Sequence, residues 1–145
     1  MITIYGTLYS SKNHRQLFKN RSTGKMFIAK PKKAKDAEDG LKLQLKTNRR
    51  GWEKMMTLIG VRGGNSPIEA QLYEPIGVKP YPLRVKFKIY RKNKQRFDYV
   101  NIIQSLADQM VKAGYMPDDS ADYFIPVFEP YEVDPKNPRT EITIL

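Results

Sequence analysis

The chain has no cysteine and a single histidine, His14. The first absence excludes disulfides, thiolate metal sites and cysteine nucleophiles, and it fits a reducing compartment. The second leaves any Ser-His-Asp triad or multi-histidine zinc site dependent on one ring, which sets both aside. No apolar run approaches the ~18 residues of a membrane span. No broad apolar helix face stands beside lysines and no lipidation motif is present, so no membrane partner is expected. Met1 to Leu8 lacks a charged n-region and an h-region, so no signal peptide is expected there. The expected location is cytoplasmic, phage- or prophage-encoded chains included. Internal repeats and low-complexity tracts are lacking too.

Acidic residues are scarce over most of the 145 residues, and the formal net charge is +11. Residues 1–50 hold 13 Lys/Arg against 3 Asp/Glu, and residues 79–96 hold 8 against none. The balance reverses over residues 97–145, with 3 against 9. A basic surface of this size favours a polyanion through phosphate neutralisation and counterion release, and nucleic acid is the first candidate. At 40% hydrophobic and 28% charged, the composition suits one soluble domain with a modest core.

The apolar pattern reads as α/β (α+β), a small mixed sheet packed with helices. Met1 to Leu8 alternates as a first strand, and Arg21 to Lys25 is a turn signal followed by an apolar patch, Met26-Phe27-Ile28. Ala37, Leu41 and Leu45 make one helical stripe over residues 35–45. Residues 49–82 read as excursions outside the sheet, although Trp52, Met55, Met56, Leu58 and Ile59 are apolar enough for the core. Leu83, Val85, Phe87 and Ile89 alternate with Arg84, Lys86, Lys88 and Tyr90, the cleanest strand in the chain. A helix follows, with Ile102, Ile103, Leu106, Met110 and Val111 on its apolar side and Gly114 placed as its C′ residue. Tyr123, Ile125 and Val127 suggest a strand, and residues 140–145 a last one. Tyr9, Phe18, Phe27 and Trp52 could wedge into a nucleic acid, but core positions are the simpler expectation.

The chemistry-bearing stretch runs from Arg96 to Asp122. Asp98 opens the helix, and Asp118, Asp119 and Asp122 follow its end. Carboxylates converging inside a cationic surface suit a magnesium-dependent nuclease, because the metal needs anionic oxygen and the phosphodiester needs positive surroundings. Each has a plainer reading. Asp98 fits a helix N-cap, Asp118-Asp119-Ser120 is an ordinary turn, and Asp122 fits a solvated strand entry. Asp108, ~15 Å along the helix from Asp98, reads as a helix-surface or dimer-edge group rather than a ligand. Lys86 and Lys88 are read equally as a solvated face or as phosphate contacts. The candidate DNA-binding set is Lys12, Asn13, Arg15, Lys86, Lys88, Arg91, Lys92, Lys94 and Arg96.

Arg96, Asp98, Asn101, Asp108, Lys112-Ala113-Gly114 and Asp118-Asp119 fall without a gap on the core pattern of the RusA family of Holliday junction resolvases, R-x-D-x-D-N, D-A-L, K-A-G and D-D. Ser11-Lys12-Asn13 also resembles that family's opening S-x-N segment. The likeness covers about residues 90–123 closely and 1–45 loosely, and leaves 49–82 as an elaboration. It implies a single-domain α/β homodimer that binds branched double-stranded DNA and nicks four-way junctions in recombination and repair. It also implies Mg2+ held by Asp98 and Asp119, with Asn101, Asp118 and Asp122 as further candidates. Two positions depart from the pattern: Val100 stands where the second aspartate of D-x-D belongs, and Gln104 where a lysine belongs. The alternative expectation is therefore a non-catalytic branched-DNA-binding protein with a degraded site.

Overall fold

A computed structural model describes residues 1–10, 16–29, 31–58, 61–62, 74–75 and 81–145. Over these residues the protein is a small mixed α+β unit, two helices packed with a mixed sheet, as the sequence leads one to expect. Strand β1 (Ile2–Tyr5) leads to a hairpin of β2 (Gln16–Lys19) and β3 (Met26–Ala29), then helix α1 (Lys32–Leu58). Two short strands, β4 (Val61–Arg62) and β5 (Glu74–Pro75), pair as a ribbon. The rest is β6 (Leu83–Arg91), α2 (Tyr99–Lys112), β7 (Phe124–Phe128), β8 (Glu132–Val133) and β9 (Arg139–Ile144).

The main sheet runs β1-β9-β6-β7, with β8 also on β6. β6 is its centre. It pairs antiparallel with β9 and parallel with β7 and β8, so β6, α2 and β7 form a crossover unit that lays α2 on the sheet. Residues at every second position of β6, Leu83 through Ile89, are buried, and they join Ile2, Ile4 and Ile142 from the neighbouring strands. The buried stripe of α2, Ile102, Ile103, Leu106, Ala107 and Met110, covers them.

Helix α1 is longer than the stripe at 35–45 indicates. It continues unbroken through Arg49-Arg50-Gly51 to Leu58, so the first ten residues of 49–82 are helix rather than an excursion. Trp52, Met55 and Met56 are in the core as expected, while Leu58 is 86% exposed. Ile59 and most of 60–80 lie outside the described residues. Gly51 lets α1 pass close over β1, since a Cβ there would sit 2.9 Å from Ile2 Cγ2. Nearby, Gln44 exchanges hydrogen bonds with the backbone of Tyr5, and Asn48 donates to Thr3 O.

The strand suggested by Tyr123, Ile125 and Val127 forms as β7, which buries Phe124 and leaves Ile125 half-exposed. Of the four aromatics noted above, only Trp52 is fully buried, and Tyr9 and Phe27 are exposed. Among the described residues no helix is long and apolar enough to cross a membrane.

Candidate functional site

Helix α2 carries most of the candidate residues, and both of its ends are tightly defined. At the start, Asp98 is extended (φ −113°, ψ 118°). Its Oδ1 accepts the backbone N–H groups of Val100 and Asn101 at 2.9 and 3.3 Å, and its Oδ2 accepts the Asn101 amide at 2.8 Å. This is an N-cap with both oxygens occupied. At the end, Gly114 takes φ +73°. Its N–H reaches Val111 O and the Tyr115 N–H reaches Met110 O, the paired bonds of a Schellman turn.

The turn is pinned to α1. Trp52 Nε1 donates to Tyr115 O at 2.8 Å, Tyr115 Oη donates to Leu45 O at 2.7 Å, and Arg49 donates to Ala113 O at 2.7 Å. From this anchor the chain runs back along α2 through Met116, which is buried, to Asp118 and Asp119. The return brings the Asp119 carboxyl within electrostatic reach of that of Asp108. Burial, and then the facing Asp108 carboxylate, hold Asp119 above the usual carboxylate range. Asp118 lies below that range, chiefly because the Ser120 hydroxyl donates to it, aided by the backbone N–H groups of Asp119 and Ser120. Asp122 is exposed at the entry to β7 and is not among the groups acting on Asp119.

The acidic partner of Asp119 is therefore Asp108, not Asp98. Chain reach explains this. Asp98 stands sixteen residues before Gly114, about 24 Å back along a helix. The five residues after Gly114 extend at most ~18 Å, and the turns here shorten that. Asp108, only six residues before Gly114, lies about 9 Å back and is easily reached. The same arithmetic, applied to the sequence once Gly114 is assigned as C′, would have found the pair. Asp98 is not among the groups acting on Asp119.

A cavity of about 120 Å3 adjoins Asp108 between α1, α2 and the segment after β1. Ser10, Glu38, Ser105, Asp108, Gln109 and Lys112 are among its polar lining, with Thr7 and Tyr9. Gln109 is buried and donates to Glu38 Oε1 at 3.3 Å. Asn101, Ser105, Asp108 and Lys112 recur at helical spacing, so the polar strip of α2 leads from the cap to the acidic pair. Val100, 63% exposed, and Gln104, also exposed, flank it without adding charge.

The candidate cations divide into two groups. Lys86 pairs with Glu129 at 3.0 Å, and Lys88 pairs with Glu132 at 2.7 Å and donates to Pro130 O. The Glu132 hydrogen bond holds the Lys88 ammonium above its usual range. Arg91 is buried and stacks on Phe97, 4.3 Å from the ring centroid. Phe97, Tyr99, Phe128 and Tyr131 continue that aromatic contact, and Tyr99 Oη bonds the backbone of Glu129 and Tyr131. Lys86 and Lys88 thus tie β6 to the β7–β8 segment, and Arg91 ties it to Phe97 ahead of α2. Lys92, Lys94 and Arg96 are exposed in the β6–α2 loop, with no ion-pair partner among the described residues. Lys12, Asn13 and Arg15 lie outside the described residues.

Two facing carboxylates suit magnesium, which takes few protein carboxylates and keeps several waters. Among the described residues no group of three or more acidic or histidine side chains converges. Against known protein families and curated proteins, the sequence finds no match.

Proposed function

We propose that the chain is a magnesium-dependent, structure-specific endodeoxyribonuclease of RusA type, acting as a homodimer on four-way DNA junctions, with Asp108–Asp119 as its acidic pair. The observation that supports this reading is the nearness of those two carboxyl groups, felt as repulsion at Asp119, beside the polar strip of α2 in a chain of net charge +11. Like charges brought together oppose ionisation and cost stability, and such arrangements concentrate at functional sites. Asp108 and Asp119 would hold Mg2+, which when bound stabilises charge on a phosphate oxygen and acidifies water. Lys112, one turn beyond Asp108, offers positive charge to the phosphate on the same face. The unpaired loop cations Lys92, Lys94 and Arg96 hold the DNA backbone by charge without reading sequence. A two-fold dimer presents two identical sites to a junction of matching symmetry.

A second reading, a non-catalytic branched-DNA-binding protein, is favoured by a different observation. Asp98 has both oxygens engaged in the helix cap, and the neighbouring family-ligand position is the exposed Val100. The test is incubation of the protein with a synthetic four-way junction and with linear duplex, with and without Mg2+. Paired nicks in the junction alone, only with Mg2+, are expected. Tight, salt-sensitive junction binding without nicks would replace the first reading by the second, and no binding would sink both.

A further inference from the structure

The β2–β3 hairpin is thinly covered. Among the described residues, none of its own belongs to the core or to the partly buried shell packed on it, and its strands pack chiefly on each other. Its register pairs Leu17 with Ile28, Phe18 with Phe27 and Lys19 with Met26. Directly opposed residues share a face and alternate residues switch faces, so Leu17, Ile28, Lys19 and Met26 lie on one side. Leu17 is 61% exposed, Ile28 68%, Met26 55%, and Phe27 on the other side 48%. A lone two-stranded ribbon is marginal in water, and an apolar face this open marks a docking surface.

The tip is well ordered by its own chemistry. Asn20 Oδ1 accepts the N–H groups of Ser22 and Thr23, Asn20 and Lys25 close the turn through their backbones, and Gly24 takes φ +68°. The hairpin contains Lys19, Arg21 and Lys25 and no carboxylate, and the first acidic residue of the whole chain is Asp36. Nothing within the hairpin neutralises those cations. A second copy of the same hairpin would bring like charges together, whereas a phosphate backbone complements them. Wedges of apolar side chains between base steps, flanked by cations on phosphate, are an established way for proteins to hold distorted DNA.

We infer that the β2–β3 hairpin enters the centre of the branched DNA, with Lys19, Arg21 and Lys25 on phosphates and the Leu17–Met26–Ile28 face against unstacked bases. This rests on the junction-binding reading above and assigns it a second contact surface, separate from the acidic pair. A branch point suits such an element because its central bases are already partly unstacked, so less stacking must be broken than in continuous duplex.

The experiment places 2-aminopurine at the crossover of a four-way junction and follows its fluorescence as protein is added. Wild type is expected to raise the signal, reporting unstacking. Leu17→Ser/Ile28→Ser is expected to bind while leaving the signal near that of free DNA. Lys19→Ala/Arg21→Ala/Lys25→Ala is expected to flatten the salt dependence of binding by ~2.7 in log–log slope, at about 0.9 per phosphate contact. Sedimentation of each variant runs in parallel, and all these side chains lie outside the core, so thermal unfolding should match wild type. A serine variant that binds and unstacks as wild type does, or that changes its oligomeric state instead, overturns the inference; the second outcome makes the hairpin a contact between copies. Wild type that binds without a fluorescence rise overturns the inference but leaves junction binding standing. Wild type that does not bind the junction overturns both.

Discussion

Removing Asp98 and removing Asp119 should change stability in opposite directions. Asp98 accepts two backbone N–H groups and the Asn101 amide at the start of α2. Losing an N-cap costs ~1 kcal/mol, and losing a carboxylate near the positive end of a helix costs about 0.5 kcal/mol more. Asp98→Ala should therefore lower stability by roughly 1.5 kcal/mol, or the melting temperature by roughly 5 °C at this chain length. Asp98→Asn keeps a capping oxygen and should cost only about 0.5 kcal/mol, the charge contribution. Asp119 faces another carboxylate, so Asp119→Asn in EDTA should stabilise by ~0.5 kcal/mol, the scale of a relieved like-charge pair. Urea unfolding at pH 7 measures all three, with the fluorescence of Trp52, the sole tryptophan and fully buried, as the probe. At an m-value of about 2 kcal/mol/M the Asp98→Ala midpoint falls by ~0.8 M. An unchanged or raised midpoint in Asp98→Ala would refute the reasoning. It would mean that this carboxylate is held at a cost, as a ligand is, and not as a cap.

Other expectations follow from the same geometry. Because the folded state raises the Asp119 carboxyl, it holds a proton to higher pH than the unfolded chain does. Wild type therefore loses stability relative to Asp119→Asn as pH rises through the raised value, and the two should converge below pH ~4 when unfolding is compared in EDTA. Mg2+ at ten times its dissociation constant should restore about 1.4 kcal/mol to wild type and nothing to Asp119→Asn or Asp108→Asn, read as thermal shifts. Gly40→Ala should stabilise by ~0.5–1 kcal/mol, since a Cβ there meets nothing within 4 Å. Gly51→Ala in the same helix should destabilise by ~1–2 kcal/mol, because its Cβ collides with Ile2. Trp52→Phe removes both ring volume and the donor to Tyr115 O, and calorimetry should show a loss of about 2–4 kcal/mol.

The elements most legible in the sequence were those with one clear period. β6 alternates apolar with charged or tyrosine residues and buries every second residue from Leu83. α2 has a single apolar stripe, a capping aspartate and a C′ glycine. β7 was harder because both of its faces are apolar. Tyr123, Ile125 and Val127 alternate with Phe124, Pro126 and Phe128, so periodicity does not choose the inward side. At the hairpin the turn was legible but the strand pairing was not, since Leu17-Phe18 and Met26-Phe27-Ile28 are apolar on both faces. The full length of α1 was hidden by Gly40, Gly51 and the weak helix formers Thr47 and Asn48, whose local propensity is overridden by packing of Trp52 and Met56. At the candidate site the residue types were legible but their pairing was not. Sequence order suggests that the first and last aspartates converge, whereas the reach of five residues past Gly114 selects Asp108. The cations of β6 were equally visible, but their partners Glu129 and Glu132 lie across strand pairings that only the fold reveals.

The most direct test of the central claim is the rate of Mg2+-dependent nicking of a four-way junction by Asp119→Asn, Asp108→Asn and Asp98→Asn, each at saturating junction concentration. An acidic pair at Asp108–Asp119 predicts that the first two lose nicking while retaining junction binding, and that Asp98→Asn nicks at close to the wild-type rate. Loss of nicking in Asp98→Asn with full activity in Asp108→Asn would contradict the account and return the metal to the start of the helix.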